Sequence, residues 1–344
     1  MPVIPDTKLG ARLTFGRLPP LATPEACLAD ALPLLDPPSR ISVTDAAEAH
    51  VRVEVHGDWQ RFDRSVTPYM VEPADAARSR RYRSGVFVGP SQAGKTKALE
   101  NIVAHAVMCD QRPVMIIHMT QHDRNKWVED KLDRTIANSP DLNDRLGKGS
   151  DDSTYSRKRF KGMRLNIGYP TKTVLSGGTY GMVVLTDYDH MSQVLGGKEN
   201  PEGSPYRMAL QRTKTFLSRG WVFVESTPSF PVKDASWRPS ADAPHLLPPV
   251  ESGVAQLYND GTRGRFYWEC PDCHEEFEPR FDRLVYDAEL TPGAAGKSAE
   301  MACPHCGSLI AHRHKMELNR GCLKDRGGWR HEGEDGVLTG LYDG

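Results

Sequence analysis

Short apolar runs alternate with stretches of helical period along the middle of the chain. "GVFV" (85–88), "PVMIIHMT" (113–120), "YGMVVLTDYDH" (180–190) and "GWVFVESTP" (220–228) are too short for buried helices and too uniformly apolar for half-exposed strands. They read as strands covered on both faces. "MRLNIGY" (163–169) and "KTVLSGG" (172–178) read as two further short strands. Between them, "KALENIVAHAVM" (97–108), "QHDRNKWVEDKLDRTIANSPDL" (121–142) and "MALQRTKTF" (208–216) carry apolar residues at helical spacing. Strands alternating with helices predict an α/β domain on a mainly parallel sheet. Before it, "TPEACLADALPLLDPP" (23–38) holds one short helix, stopped by its prolines. After residue 230 the pattern stops, and "PSFPVKDASWRPSADAPHLLPPV" reads as a Pro-rich linker. The division that follows is an N-terminal segment 1–50, an α/β domain 51–235, a linker 236–261, a cysteine-bearing module 262–312 and a C-terminal segment 313–344. No internal repeat is visible.

"GPSQAGKT" (89–96) lies between the first strand and the first long helix. It fits the P-loop pattern G-x-x-x-x-G-K-[ST] in the strand–loop–helix context that pattern requires. Glycines allow the tight turn that aims successive N–H groups at phosphate oxygens. The cradle is Gly89, Pro90, Ser91, Gln92, Ala93, Gly94, Lys95 and Thr96. Lys95 would reach the β- and γ-phosphates of ATP, Thr96 would hold Mg²⁺, and the helix dipole would favour the anion. The fold class expected is therefore a P-loop NTPase of the RecA/ASCE kind.

Hydrolysis also needs an acid at a neighbouring strand end. "VVLTDYDH" offers Asp187 and Asp189. If the strand continues that far, the two carboxylates share a face and Tyr188 points opposite. Two assignments fit. In the first, which we take as the expectation, Asp187 serves the metal and Asp189 the water. In the second, Thr186 touches the metal and Asp187 acts as base. On the next strand, Ser226 and Thr227 stand where a translocating ATPase senses the γ-phosphate, or where a strand simply turns.

"CPDC" (270–273) and "CPHC" (303–306) are two zinc knuckles. Four thiolates from Cys270, Cys273, Cys303 and Cys306 make a closed Zn²⁺ site, which would fold a module lacking much core of its own. "RFYWE" and "SLIAH" flank the knuckles as strands, as in a zinc ribbon. The 274–302 loop is longer than the usual spacing. His274 and His305 are bystanders, and Cys27, Cys109 and Cys322 read as free thiols. Seven cysteines, four of them so arranged, favour a reducing compartment.

Composition narrows the partners. The chain has 344 residues, 26% of them charged, and a formal net charge of −1. Any nucleic-acid contact must use local patches. Two exist: "RSRRYR" (78–83), with Arg80, Arg81 and Arg83, and "RKRFKGMR" (157–164), with Arg157, Lys158 and Arg159. A run of charge is as readily a solvated face. No stretch reaches the 18–20 or so apolar residues of a membrane span, and the N-terminus lacks a signal peptide's apolar core.

Taken in order, "GDWQRFDRSVTPYMVEP", "GPSQAGKT", "MIIHMTQ", "VVLTDYDHM", "NPEGSPYRMALQRTKTF", "VESTPS" and the paired cysteines resemble the large subunits of tailed-phage terminases of the lambda-like class, over roughly residues 40–315. The resemblance implies an ATP-hydrolysing motor that threads double-stranded DNA into a procapsid. Its partners would be a small subunit, which residues 1–50 would meet, and the portal, on which it would form a homo-oligomeric ring. It would act in the host cytoplasm, with no membrane and no place in the mature virion. The family's aromatic segment before the loop sets Trp59 or Tyr69 near the adenine, and Arg212 matches a basic position that contacts phosphate or a neighbouring subunit. An RNase H-like nuclease is expected beyond the zinc module, and the segment ending in "GVLTGLYDG" leaves no room for it here. Thr-Asp-Tyr-Asp departs from the family's Asp-Glu pair. The competing reading is another nucleic-acid-stimulated ATPase, such as a helicase-like remodeller.

Overall fold

The computed structural model describes residues 23–25, 28, 40–196, 202–333 and 336–343. The chain divides into two units, Met1–Pro38 and Ser39–Gly344. The helix expected over 23–38 lies mostly outside the described residues, as does Cys27; Pro24, Glu25 and Leu28 are helical.

The second unit begins with the helix Val43–His50, closed by a Ser42–Asp45 capping box, and a hairpin of β1 (Arg52–Val55) and β2 (Asp58–Arg61). The main sheet follows, from β3 (Ser84–Val88), β4 (Val114–Ile117), β5 (Ser153–Thr154), β6 (Arg157–Phe160), β7 (Met163–Gly168), β8 (Met182–Leu185) and β9 (Trp221–Ser226). Its order is β3-β9-β8-β4-β7-β6-β5. The first five positions run parallel and β6 and β5 are antiparallel additions.

Every residue of β4, β8 and β9 is buried, because both sheet faces are covered. One core holds Ile102, Val103 and Val107 of the helix Lys95–Met108 against Ile116, Val184 and Phe223. The other holds Leu175, Met208 and Val254 against Ile117, Val183 and Val224. The helix predicted over 121–142 is a run from Gln121 to Asn138 with a wide π turn at Val128–Asp133. It stops at Ser139, whose φ of −109° and ψ of 98° is the extended form favoured before Pro140. "KTVLSGG" is not a strand. Lys172–Ser176 is helical, because the Thr171 hydroxyl caps it by accepting from the Val174 N–H at 3.3 Å while Leu175 enters the core with Val174 packed at its edge.

Beyond β9 the stretch read as linker, 236–261, contains the helix Val254–Asn259, with Val254 wholly buried against the sheet. The cysteine module consists of β10 (Arg265–Glu269), β11 (Glu276–Phe277), β12 (Leu284–Val285), β13 (Glu300–Ala302) and β14 (Leu309–Ala311). β15 (Gly328–Glu332) pairs with β10, and β16 (Leu338–Thr339) closes that sheet. Aromatic rings seam the module to the P-loop strand: Phe87 and Phe266 lie 6.2 and 5.6 Å from Trp329, whose indole N–H donates to the Tyr69 carbonyl.

Candidate active site

The P-loop sits at the carboxyl end of β3, where parallel α/β sheets place ligands. Gln92 and Gly94 have φ of +61° and +85°. Gly94 is the N-cap of the helix that Lys95 opens, so the turn uses the residue for which that backbone carries no Cβ penalty. Lys95 is buried and turned back on its own loop. Its ammonium donates to the carbonyls of Gly89 (3.3 Å) and Pro90 (2.9 Å) and to the Thr227 hydroxyl (3.2 Å). Thr227 in turn donates to the Gly89 carbonyl. A cleft of about 550 Å³ opens here, lined by Lys95, Thr96, Asp187, Glu225 and Trp59 among others.

The acidic strand ends earlier than its sequence suggests. β8 stops at Leu185; Asp187 takes a left-handed backbone (φ 51°, ψ 46°) and Tyr188–His190 is a 3-10 turn. Strand alternation therefore does not relate Asp187 to Asp189. Asp187 reaches the cleft, and Asp189 is absent from its lining. The buried Asp189 carboxylate accepts the backbone N–H groups of Val254 (2.5 Å) and Ser229 (2.9 Å), while its own N–H donates to the Ser226 hydroxyl. Thr186 is absent from the lining too. Its hydroxyl meets the Ile117 carbonyl and Nδ1 of His118, whose burial lowers its pKa to about 4 and keeps it neutral.

Asp189 thus staples three backbone segments. Asp189→Asn replaces one acceptor oxygen with an amide that donates, leaving a buried N–H facing another donor. Such a mismatch costs about 1–3 kcal/mol. We expect a melting temperature lower by several degrees, read by calorimetry; an unchanged melt together with lost hydrolysis would return Asp189 to a chemical role.

The acid missing from the sequence reading is Glu225. It lies in β9, 4% exposed, with Oε1 accepting the Asp187 N–H at 3.2 Å. Oε2 stands 3.9 Å from the Lys95 ammonium and has no hydrogen-bond partner. Burial pushes its pKa up to about 7, helped by the Asp187 charge and opposed by Lys95. A lone acid near the carboxyl end of an otherwise apolar strand was the available signal.

The remaining residues separate. Trp59 lines the cleft and stacks under the Arg134 guanidinium at 5.8 Å. Tyr69 does not line it; its ring meets Phe266 edge-on in the aromatic seam. Ser226 is buried between the Asp189 N–H and the Thr227 carbonyl. Arg212 donates to the Ser176 carbonyl at 2.6 Å and is not in the cleft lining. Arg80, Arg81 and Arg83 are exposed. Lys158 is 1% exposed and paired with Asp133, so the β6 cluster offers Arg157 and Arg159 but not Lys158 to solvent.

The four predicted cysteines meet. Their sulfurs lie within 4.8 Å of one another, with Cys270–Cys306 and Cys273–Cys303 at 3.8 Å. A tetrahedron with metal–sulfur bonds of about 2.3 Å has edges of about 3.8 Å, so the sulfurs fit zinc. The knuckles repeat one design: the Cys270 and Cys303 carbonyls accept the N–H groups of His274 and Gly307, both at positive φ. His274 and His305 stand outside the cluster.

A P-loop on the edge strand of a mainly parallel sheet, with buried lysine, hydroxyl and carboxylates gathered at its mouth, defines a P-loop ATPase. The four-cysteine module faces the loop across a cavity of about 1040 Å³, lined by residues 89–93 on one side and Phe266, Trp268 and Met301 on the other. A family model described as "Phage terminase large subunit gpA, ATPase domain" matches residues 56–329, and the chain belongs to that family. No curated protein matches it. Among solved structures it is similar to the large terminase of bacteriophage HK97, at 13% identity and a TM-score of 0.42, over 56% of this chain and 38% of that one. It is also similar to the ATPase domain of the Thermus phage P74-26 large terminase, at 13% identity and a TM-score of 0.34, over 50% of this chain and 67% of that one. No helix among the described residues is long and apolar enough to cross a membrane.

Proposed function

We propose that this chain is the ATP-hydrolysing motor of viral DNA packaging, driving double-stranded DNA into a procapsid. The observation that carries the reading is the cleft itself, where Lys95, Thr96 and Asp187 converge at a P-loop in a chain of the terminase ATPase family. The Thr96 hydroxyl and the Asp187 carboxylate are the hard oxygen donors Mg²⁺ prefers, and they would hold it. Once bound, the ion would neutralise charge on the β- and γ-phosphates. Lys95 leaves its partners to meet the phosphates, which frees the Pro90 carbonyl and the Thr227 hydroxyl oxygen, while Thr227 keeps its own donation to the Gly89 carbonyl. That exchange is how phosphate occupancy reaches the loop after β9. Trp59 offers a face to the base.

The motor reading extends to a homo-oligomeric ring on the portal, to a small subunit that selects the DNA, and to the host cytoplasm rather than the mature virion. Zn²⁺ holds the cysteine module. Arg80 and Arg83 are two of the exposed cations for the DNA backbone. Each phosphate contact contributes about 0.9 to the slope of log K against log salt. Removing both charges, as Arg80→Ser with Arg83→Ser, should flatten the slope by roughly 2, measured by anisotropy with a labelled duplex. An unaltered slope would take this patch off the DNA path. The function itself is tested by turnover with and without duplex DNA: a chain whose hydrolysis ignores DNA is not a packaging motor.

A further inference from the structure

We propose that Glu225 supplies the carboxylate that orients the attacking water, a role that rests on the hydrolytic reading of the cleft. Three observations place it there. Glu225 lines the same cleft as Lys95, Thr96 and Asp187. Its side chain is more than nine-tenths buried, and its Oε2 lacks any hydrogen-bond partner. A buried carboxylate oxygen without a donor is costly unless something fills the place. The nearby cation, Lys95, stands at 3.9 Å, beyond hydrogen-bond reach, and donates instead to two carbonyls and a hydroxyl. Water is the donor that fits.

The other end of Glu225 is fixed. Oε1 accepts the Asp187 N–H, so the carboxylate plane is set by the backbone that also carries Asp187. Asp189 and Thr186, the competing candidates, spend their oxygens on backbone and His118. In the reaction, the water oxygen forms a bond to the γ-phosphorus as the bond to the bridging oxygen breaks. That electron pair stays on ADP, and the water protons leave with the phosphate product. Glu225 accepts a hydrogen bond from the water and aims its lone pair.

Glu225→Gln has a defined outcome. The Asp187 N–H holds the amide oxygen at the Oε1 position, so the NH₂ replaces Oε2 and presents a donor where an acceptor stood. We expect kcat to fall by about 10²–10⁴-fold, the range for a group positioned on a reacting proton. Affinity for a fluorescent ATP analogue with Mg²⁺ should stay within about threefold, and the thermal melt should hold. Glu225→Asp keeps the charge but retracts it by one methylene, and it should recover part of kcat; it also stands in if Gln does not fold. If either folded variant turns over like the wild type, the assignment is wrong. If saturating ATP restores kcat and only affinity is lost, Glu225 merely seats Lys95. A wild-type chain that hydrolyses no ATP sinks the hydrolytic reading and this assignment with it, an outcome distinct from an active variant.

Discussion

Lys95→Ala should abolish measurable ATP turnover while leaving the fold intact. The ammonium donates to two loop carbonyls and to the Thr227 hydroxyl just after β9, at 2.9–3.3 Å. These are weak, neutral acceptors compared with a triphosphate, so the side chain is held in place without being committed. On binding, it exchanges them for phosphate oxygens whose charge grows as the γ-phosphoryl departs. Removing one such preorganised donor costs about 10²–10³-fold in rate, and a full cation in a buried site belongs at the upper end or beyond. Stability should change little for opposing reasons. The variant leaves the Pro90 carbonyl short of a donor and Glu225 without its neighbouring cation, while the Gly89 carbonyl keeps the Thr227 hydroxyl. It also removes a buried charge, and alanine is the best helix former at the position where this helix begins. Steady-state turnover beside a thermal melt checks both halves, and near-wild-type hydrolysis by a folded variant would overturn the nucleotide site as a whole.

Which parts of this site were readable in advance follows from how local each signal is. The P-loop is eight consecutive residues whose glycines act through their own backbone and whose lysine ammonium folds back on the same loop, so the strand, turn and helix around Gly94 were legible. The zinc cysteines were legible for the same reason, since each knuckle closes within one turn. Asp187 and Asp189 were visible as acids, but their roles hang on where β8 ends, and that is set by the left-handed turn at Asp187. Glu225 was hidden because its role is defined by contacts with residues far from it in sequence, the Asp187 backbone and the Lys95 ammonium. "KTVLSGG" failed on length: a short apolar run suits a strand or a turn of helix, and only the Thr171 cap decides. Tyr69 and Trp59 look alike in sequence, and the seam with Phe266 and Trp329 separates them.

Loss of metal from the cysteine module should unfold that module and spare the nucleotide cleft. The module's own core is small, built from Trp268, Phe277, Met301, Ile310 and the inward cysteines Cys270 and Cys303. Two of those six residues are ligands themselves, so the hydrophobic contribution is thin without the ion. Structural zinc in comparable small modules contributes about 10–16 kcal/mol of apparent binding free energy, which is folding free energy when no site exists beforehand. Cys303→Ser removes a thiolate and leaves three, too few to close the tetrahedron. Elemental analysis should therefore give about one equivalent of zinc for the wild type and little for the variant. Limited proteolysis should open residues 262–312 in the variant. The cleft should still bind nucleotide, since Lys95 and Thr96 open the helix Lys95–Met108, Asp187 stands in the turn after β8 and Glu225 lies in β9, elements packed in the two sheet cores. The seam through Phe87 and Trp329 is the path by which damage would spread, so a modest fall in the melting temperature of the whole unit accompanies the loss. Wild-type protein that is metal-free and yet protected across 262–312 would show that the four sulfurs converge for some reason other than zinc.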